Sequence, residues 1–340
     1  MLPLGGSQGI PKREKGGLLL PMVTQNLGLR PYGVHIFLAT RNGARWLERQ
    51  LLSILHQENA TITFSVTDDA SHDDSLAIIN RLISPRQLDL TYNDEPVGVP
   101  QVFLEMLMDS PKHDYYALAD QDDYWHPDKL DIACKALSAV PVGTPALWVS
   151  SVILMRENEE SGRLHPRKSN IPSLGNALVE GIAPGCSMVW NSAMQEILVI
   201  PGPDQCVMHD TWLYLSACAT GVILVEPLPT MEFNLHEHNA IGHDVSIRAR
   251  IRRHIAQTAG NKVSMEVQAQ AFVDAYRAHL SQQELNLALA VAQGDRLSRL
   301  RSWFKGELSR RYTWDNLLLG VRLLLVPKAK SNFPQIQNNR

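Results

Sequence analysis

The chain has 340 residues, 44% of them hydrophobic, and a formal net charge of −3. That length supports one large domain or a domain with an appendage. No apolar run reaches the roughly 18 residues that a spanning helix needs, which argues against a helical membrane protein. Charge is spread unevenly: residues 1–245 carry 16 Lys and Arg against 29 Asp and Glu, and residues 246–340 carry 16 against 6. A basic tail on an acidic body points to an anionic partner, either a membrane surface or nucleic acid. Cys134, Cys186, Cys206 and Cys218 have no paired metal-ligand spacing and read as small buried residues of a reducing compartment. The apolar stretch 17–23 is short and broken by Pro21, so a secretory leader is not expected and a cytoplasmic location is.

Residues 1–31 are rich in Gly, Pro and basic residues without a period, and a loose tail is expected there. The apolar run 34–39 is of strand length. After Gly43, Trp46, Leu47, Leu51 and Leu55 recur at helical spacing. A second strand is expected at 61–67, followed by a helix carrying Leu76, Ile79 and Leu82 that Asp73 can cap. Residues 88–92 make a third strand. A helix with Phe103, Leu104 and Leu107 on one face follows Gly98. Residues 115–119 make a fourth strand, and Pro127 suits the first turn of the next helix. Such alternation predicts a mostly parallel sheet covered by helices. Further strands are expected at 146–155, 186–191, 222–225 and 230–235, with a polar loop around 156–170, a helix at 210–219, and helix throughout from about residue 245.

In open parallel sheets, ligands bind at the carboxyl ends of the strands. Here Thr40-Arg41-Asn42-Gly43 follows the first strand, Asp68-Asp69-Ala70-Ser71 the second, Asn93-Asp94 the third and Asp120-Gln121-Asp122-Asp123 the fourth. Three carboxylates within four residues repel one another unless a cation neutralises them, and hard oxygen ligands favour magnesium or manganese. A capped loop is the simpler reading of that segment by itself. Asp73 and Asp74 fit a helix N-terminus, which favours acids; Asp68 and Asp69 sit at the strand end instead. Asp210 either caps its helix or acts in the site. His236 and His238 would point to opposite sides of an extended segment, so they are not expected to share one metal.

In order, these segments resemble the family 2 glycosyltransferases with the GT-A fold. They are most similar to a bacterial rhamnosyltransferase-like branch, whose fourth-strand motif reads Asp-Gln-Asp-Asp-x-Trp. The similarity continues through Gly185-Cys186-Ser187-Met188, His209-Asp210-x-Trp212 and Phe233-x-x-His236-x-x-Asn239-x-x-Gly242, and it spans roughly residues 33–243. It implies a Rossmann-like mixed sheet flanked by helices over 32–245, with a basic, helical extension over 246–340. It also implies roles. Thr40 and Asp69 would contact the base, with Asn42 and Asp68 close by. Asp120 would lie near the ribose or diphosphate, and Asp123 beside the donor sugar. Asp122 and His236 would hold Mn2+ or Mg2+, and Asp210 would be the catalytic base. The family usually has Tyr where Arg41 stands, Gly at Ala70, Asn at Val102 and Arg at Asn234.

The implied reaction moves a sugar, possibly rhamnose, from a nucleoside diphosphate to a hydroxyl with inversion. The acceptor would be a cell-surface polysaccharide or a lipid-linked glycan precursor. A nucleotidyltransferase is the alternative enzyme, but it should carry a Gly-rich phosphate loop where Thr40–Gly43 stands. A degenerate glycan-binding protein of the same fold is the non-enzymatic alternative, against which the retained Asp122, Asp210 and His236 argue. The basic tail, with Arg310 and Arg311 before Tyr312, Trp314 and a Leu-rich run, reads either as an interfacial membrane helix or as a helical cap. Nucleic acid is not expected as a partner.

Overall fold

The protein is described from a computed structural model, which covers residues 30–156, 159–166, 172–235 and 263–325. The described residues from 31 onward belong to one compact unit. Residues 1–29 of the tail expected over 1–31, together with His236 and His238, lie outside the described residues.

Strand β1 (Tyr32–Thr40) is buried on both faces, so its apolar run is nearly continuous. Val34, Ile36 and Leu38 enter one core layer, while Phe37 enters the layer on the other side. Helix α1 (Ala44–Leu55) buries Leu47, Leu51 and Ile54, one stripe at helical spacing. Strand β2 (Ala60–Asp68), helix α2 (Ser75–Leu82), strand β3 (Leu88–Tyr92), helix α3 (Val99–Met108) and strand β4 (Tyr115–Ala119) continue the alternation. β1 pairs in parallel with β2 and β4, and β2 pairs in parallel with β3. The four carboxyl ends therefore share one edge, as the sequence predicts. The register sets Thr40 opposite Asp68, and Asp68 opposite Tyr92.

Past β4 the sheet becomes mixed. After the short β5 (Tyr124–Trp125) and α4 (Lys129–Ser138) come β6 (Ala146–Arg156), β7 (Glu159–Leu164), α5 (Leu174–Ala177), β8 (Met188–Asn191), α6 (Ser192–Ile197), α7 (His209–Thr220) and β9 (Val222–Asn234). The strand order is β3-β2-β1-β4-β8-β6-β9-β5, with β7 hairpinned onto β6. The sequence reading has no counterpart for β5, α5 or α6, and other details differ from it as well. The polar stretch after Arg156 includes β7, which as an edge strand carries exposed Glu159 and Glu160 and needs no apolar alternation. Residues 222–234 form one strand, with register shifts against β6 where Pro227 and Pro229 remove ladder donors. Helix α4 starts two residues after Pro127, behind Asp128.

Helix α7 is buried almost all round, with Trp212, Leu213, Tyr214 and Leu215 in the core, so it shows no polar face. Four helices follow in the described C-terminal region: α8 (Met265–Tyr276), α9 (Gln282–Ala292), α10 (Arg296–Phe304) and α11 (Thr313–Leu325). Phe272, Val273 and Tyr276 of α8 are fully buried in the same core as Trp212 and Leu213. Two hydrogen bonds fix that packing: Val199 N donates to Tyr276 Oη at 2.9 Å, and Val207 N donates to Gln268 Oε1 at 2.7 Å. No helix among the described residues is long and apolar enough to cross a membrane.

Candidate active site

At the end of β1 the chain turns sharply. Asn42 takes a left-handed conformation with φ 49°, which Asn tolerates better than most residues. The turn is fixed by side chains of the neighbouring loop. Asn42 N donates to Ser71 Oγ at 2.8 Å, His72 N to Asn42 Oδ1 at 2.9 Å, and Gly43 N to Ser75 Oγ at 2.9 Å. Asp73, expected to cap α2, also accepts Ala44 N at 3.0 Å and so ties the starts of α1 and α2 together. Gln121 pins this loop to the end of β4. Its Oε1 accepts from Thr40 Oγ1 at 2.7 Å and Arg41 N at 2.8 Å, and its Nε2 donates to Arg41 O. Gly43 leaves room for that amide: a Cβ there would sit 2.2 Å from Gln121 Oε1.

The two acids after β2 take different positions. Asp68 is fully buried, and its Oδ1 accepts Ser71 N at 2.8 Å, so it braces the loop. Asp69 lines the cleft. It accepts Asn93 Nδ2 and Val97 N at 2.9 Å and Gly98 N at 3.0 Å. Burial raises its pKa, but those hydrogen bonds, with Arg41, more than offset burial and hold the carboxyl below its ordinary value. Asp69 is therefore a fixed anion at the β1–β3 end of the cleft.

The acidic cluster after β4 divides in the same way. Asp120, Gln121 and Asp122 line the cleft. Asp123 turns behind it: its Oδ1 accepts Asn234 N at 3.4 Å, while its Oδ2 is buried without a hydrogen-bond partner among the described residues. Asn234 Nδ2 also donates to the Asp122 carbonyl, so the residue standing where the family has Arg fastens the cluster to β9. Beneath them Lys129 is fully buried. Its ammonium lies over the Trp125 ring at 3.6 Å and donates to the Cys186 carbonyl. Burial pulls its pKa down to about 7, against the pull of Cys186 and the nearby acids.

Asp210 stands in the first turn of α7 on the same cleft, where the helix dipole favours a carboxylate. Its Oδ1 accepts Thr211 N at 2.6 Å. Gly185 packs against this turn: a Cβ there would lie 3.3 Å from Asp210 Cβ and 3.0 Å from His209 Nε2. The neighbouring His209 is buried and stacked on Phe103, with ring centroids 4.1 Å apart, so its role is packing.

The acids fit a hard divalent cation. Burial, then Asp122 and Asp210, push Asp120 up to about 7. Burial, then Asp122 and Asp120, push Asp123 well above the usual carboxylate range. Ligand atoms of Asp120, Asp123 and Cys186 lie within 4.8 Å of one another. Mutual repulsion of this kind is relieved by a bound cation, and an oxygen donor set suits Mn2+ or Mg2+. Burial drives the Cys186 thiol well above its ordinary pKa, which keeps it neutral and a poor ligand for such an ion.

One cavity of about 1090 Å³ runs from Thr40 and Asp69 past Asp120, Asp122 and Asp210 to the C-terminal helices. Of the residues singled out from sequence, Thr40, Asn42, Asp69, Asp120, Asp122 and Asp210 line it. Asp68 and Asp123 support it from behind. Gln121, Lys129 and Asn234 have no role legible in the sequence, because the partners of an amide or a lysine are set only by the fold.

Asp69, Asp120 and Asp122, from the ends of β2 and β4, and Asp210, from the start of α7, thus share one cleft. Residues 35–198 match the family model described as Glycosyl transferase family 2, and the protein is a glycosyltransferase that carries a domain of that family. It is 26% identical over 229 residues to the dTDP-rhamnosyl transferase RfbG of Shigella flexneri, covering 64% of this chain and 77% of that protein. The fold is similar to that of S. aureus TarS 1–349, solved in complex with UDP-GlcNAc. The TM-score is 0.51 at 12% identity, over 85% of this chain and 91% of that one.

Proposed function

We propose that the enzyme is a metal-dependent, inverting transferase that moves rhamnose from a dTDP-activated donor to a hydroxyl of a glycan acceptor. The observation that carries this reading is the placement of Asp210 on the same cleft as Asp120 and Asp122, with Asp69 at the far end. The similarity to a dTDP-rhamnosyl transferase supports rhamnose as the sugar.

In this reading Asp69 accepts from the base, and Thr40 and Asn42 shape the base pocket. Asp122, joined by His236, holds Mn2+ or Mg2+, while Asp120 and Asp123 set the donor side. When bound, the cation neutralises the leaving diphosphate as a Lewis acid. Thr211 holds Oδ1 of Asp210, leaving Oδ2 to take the proton of the acceptor hydroxyl as it attacks. Such general-base help is worth about 10²–10⁴ in rate. Attack from the Asp210 side, opposite the diphosphate, inverts the anomeric carbon in a single displacement. The acceptor is a cell-surface polysaccharide or its lipid-linked precursor, at the inner face of the membrane. Support for a peripheral contact comes from α11, whose Trp314, Leu317, Val321 and Leu324 are exposed along one stripe.

The test is release of nucleoside diphosphate from a panel of nucleotide sugars, with Mn2+ or with a chelator. Preference for dTDP-rhamnose and loss of turnover in chelator are expected. Equal turnover in chelator would remove the metal from the mechanism, and preference for another donor would remove rhamnose.

A further inference from the structure

The far wall of the cleft is built by the C-terminal helices, and it is basic where the strand-end wall is acidic. Arg310, in the segment before α11, and Arg322, in the third turn of α11, both line the cavity. Between them Arg311 is committed to structure. Its backbone N–H donates to Glu180 Oε2 at 2.7 Å, and its guanidinium donates to the carbonyl of Ile182. That latch fastens α11 to residues 180–185, the segment that packs against Thr211 and Asp210. The arginine wall thus begins beside the residue proposed as base.

The carboxylates near these arginines are largely engaged. Glu266 is shared between Arg299 at 3.3 Å and Arg322 at 3.5 Å. Glu180 accepts from Arg311 N and from Asn176 Nδ2. Asp315 lies near Arg310 as well. Nε of Arg310 and Nε of Arg322 are both buried, with no hydrogen-bond partner among the described residues. The Arg322 side chain is only 10% exposed. Burial weakens the hold of Arg310 on its proton, opposed by Glu180 and reinforced by Arg322. Two guanidiniums therefore line one cavity wall, each with a buried Nε that no described group satisfies. Guanidinium forks match the oxygens of a phosphate and are held least wastefully by one.

We infer that Arg310 and Arg322 form an anion subsite that takes a phosphate ester carried by the acceptor. This rests on the proposed sharing of the cleft by donor and acceptor. In the proposed function the acids at the end of β4 hold a cation for the donor diphosphate, so the unsatisfied Nε groups of Arg310 and Arg322 on the helical wall serve the other substrate.

The test uses the full chain saturated with dTDP and Mn2+, with octyl phosphate, inorganic phosphate and octyl glucoside as probes in a calorimetric titration. Octyl phosphate is expected to bind, octyl glucoside is not, and Arg310→Gln or Arg322→Gln is expected to weaken octyl phosphate by about tenfold or more. Arg322→Lys, which keeps the charge, should restore part of the affinity, and Arg310→Gln carries the test if Arg322→Gln melts early. Tighter binding of octyl phosphate than of inorganic phosphate identifies an amphiphilic source, and equal binding identifies a simple phosphate ester. Unchanged octyl phosphate affinity in both Gln variants, or a fall in dTDP affinity in its place, would overturn the subsite. Failure of dTDP to bind the wild-type chain, with the octyl phosphate result intact, would fault the donor reading and leave the subsite standing.

Discussion

Asp68 and Asp69 are neighbours of the same type, yet one braces a loop and the other faces the cleft. The difference is strand geometry, since successive side chains leave a strand on opposite sides. Sequence reasoning located the pair at a strand end because an apolar run precedes it. It could not apportion the roles, because hydrogen bonds from Asn93, Val97 and Gly98 arise only when the ends of β2 and β3 meet. The same holds for Asp123, whose turn away from the cleft depends on Asn234, more than a hundred residues later. Ala70 shows the converse. It adopts φ 62°, a left-handed conformation that a side chain opposes, at a position where the resembling family carries Gly. Ala70→Gly is expected to stabilise the protein by about 1 kcal/mol, the scale of relieving one left-handed non-glycine residue. Thermal unfolding measures this, and an unchanged or lower midpoint would show that the loop carries no strain.

The four parallel strands were legible because each is an apolar run closed by a polar turn. β7 was not, since an exposed edge strand has no buried face to leave a pattern. Within β1, His35 is a buried polar residue in that apolar run. Its ring nitrogens lie 2.8 Å from Thr63 Oγ1 and 3.0 Å from Ser65 Oγ, and it stacks on His113 at 5.0 Å. Burial, then His113, lowers its pKa to about 3. The folded value lies below the unfolded one, so between about pH 3 and 6.5 the unfolded chain binds the extra proton. This contribution to stability is present above pH 6.5 and is lost as pH falls. Chemical denaturation of wild type and His35→Phe should therefore show the wild type losing stability relative to the variant by up to about 1.4 kcal/mol per pH unit from pH 6.5 to 4, with a flat difference above pH 7. A pH-independent difference would mean that His35 accepts a proton freely in the fold. Helix α11 presents two stripes: Asp315, Leu318 and Arg322 toward the cavity, and Trp314, Leu317, Val321 and Leu324 outward. Replacing Trp314 and Leu317 with Ser should reduce sedimentation with anionic vesicles several-fold without lowering the melting temperature. Equal sedimentation would leave α11 as a cap alone.

At the scale of the molecule, the described C-terminal helices cap the core and leave one stripe of α11 exposed. Phe272, Val273 and Tyr276 complete the core around Trp212, so α8 cannot be removed as a unit; losing one such aromatic costs about 3–5 kcal/mol. This was illegible because α8 meets α7 only in three dimensions, and the basic composition of the tail masks its buried stripe. The segregation of charge along the chain becomes segregation across the cleft, with acids at the strand ends and arginines on the helical wall. Asp210 sits where the two meet, and the account depends most on its role. The direct measurement is single-turnover transfer by Asp210→Asn, with nucleotide-sugar affinity measured in parallel. The account predicts that transfer falls by at least about 10²-fold while donor affinity stays within a few-fold of wild type. Near-normal turnover by that variant would contradict it.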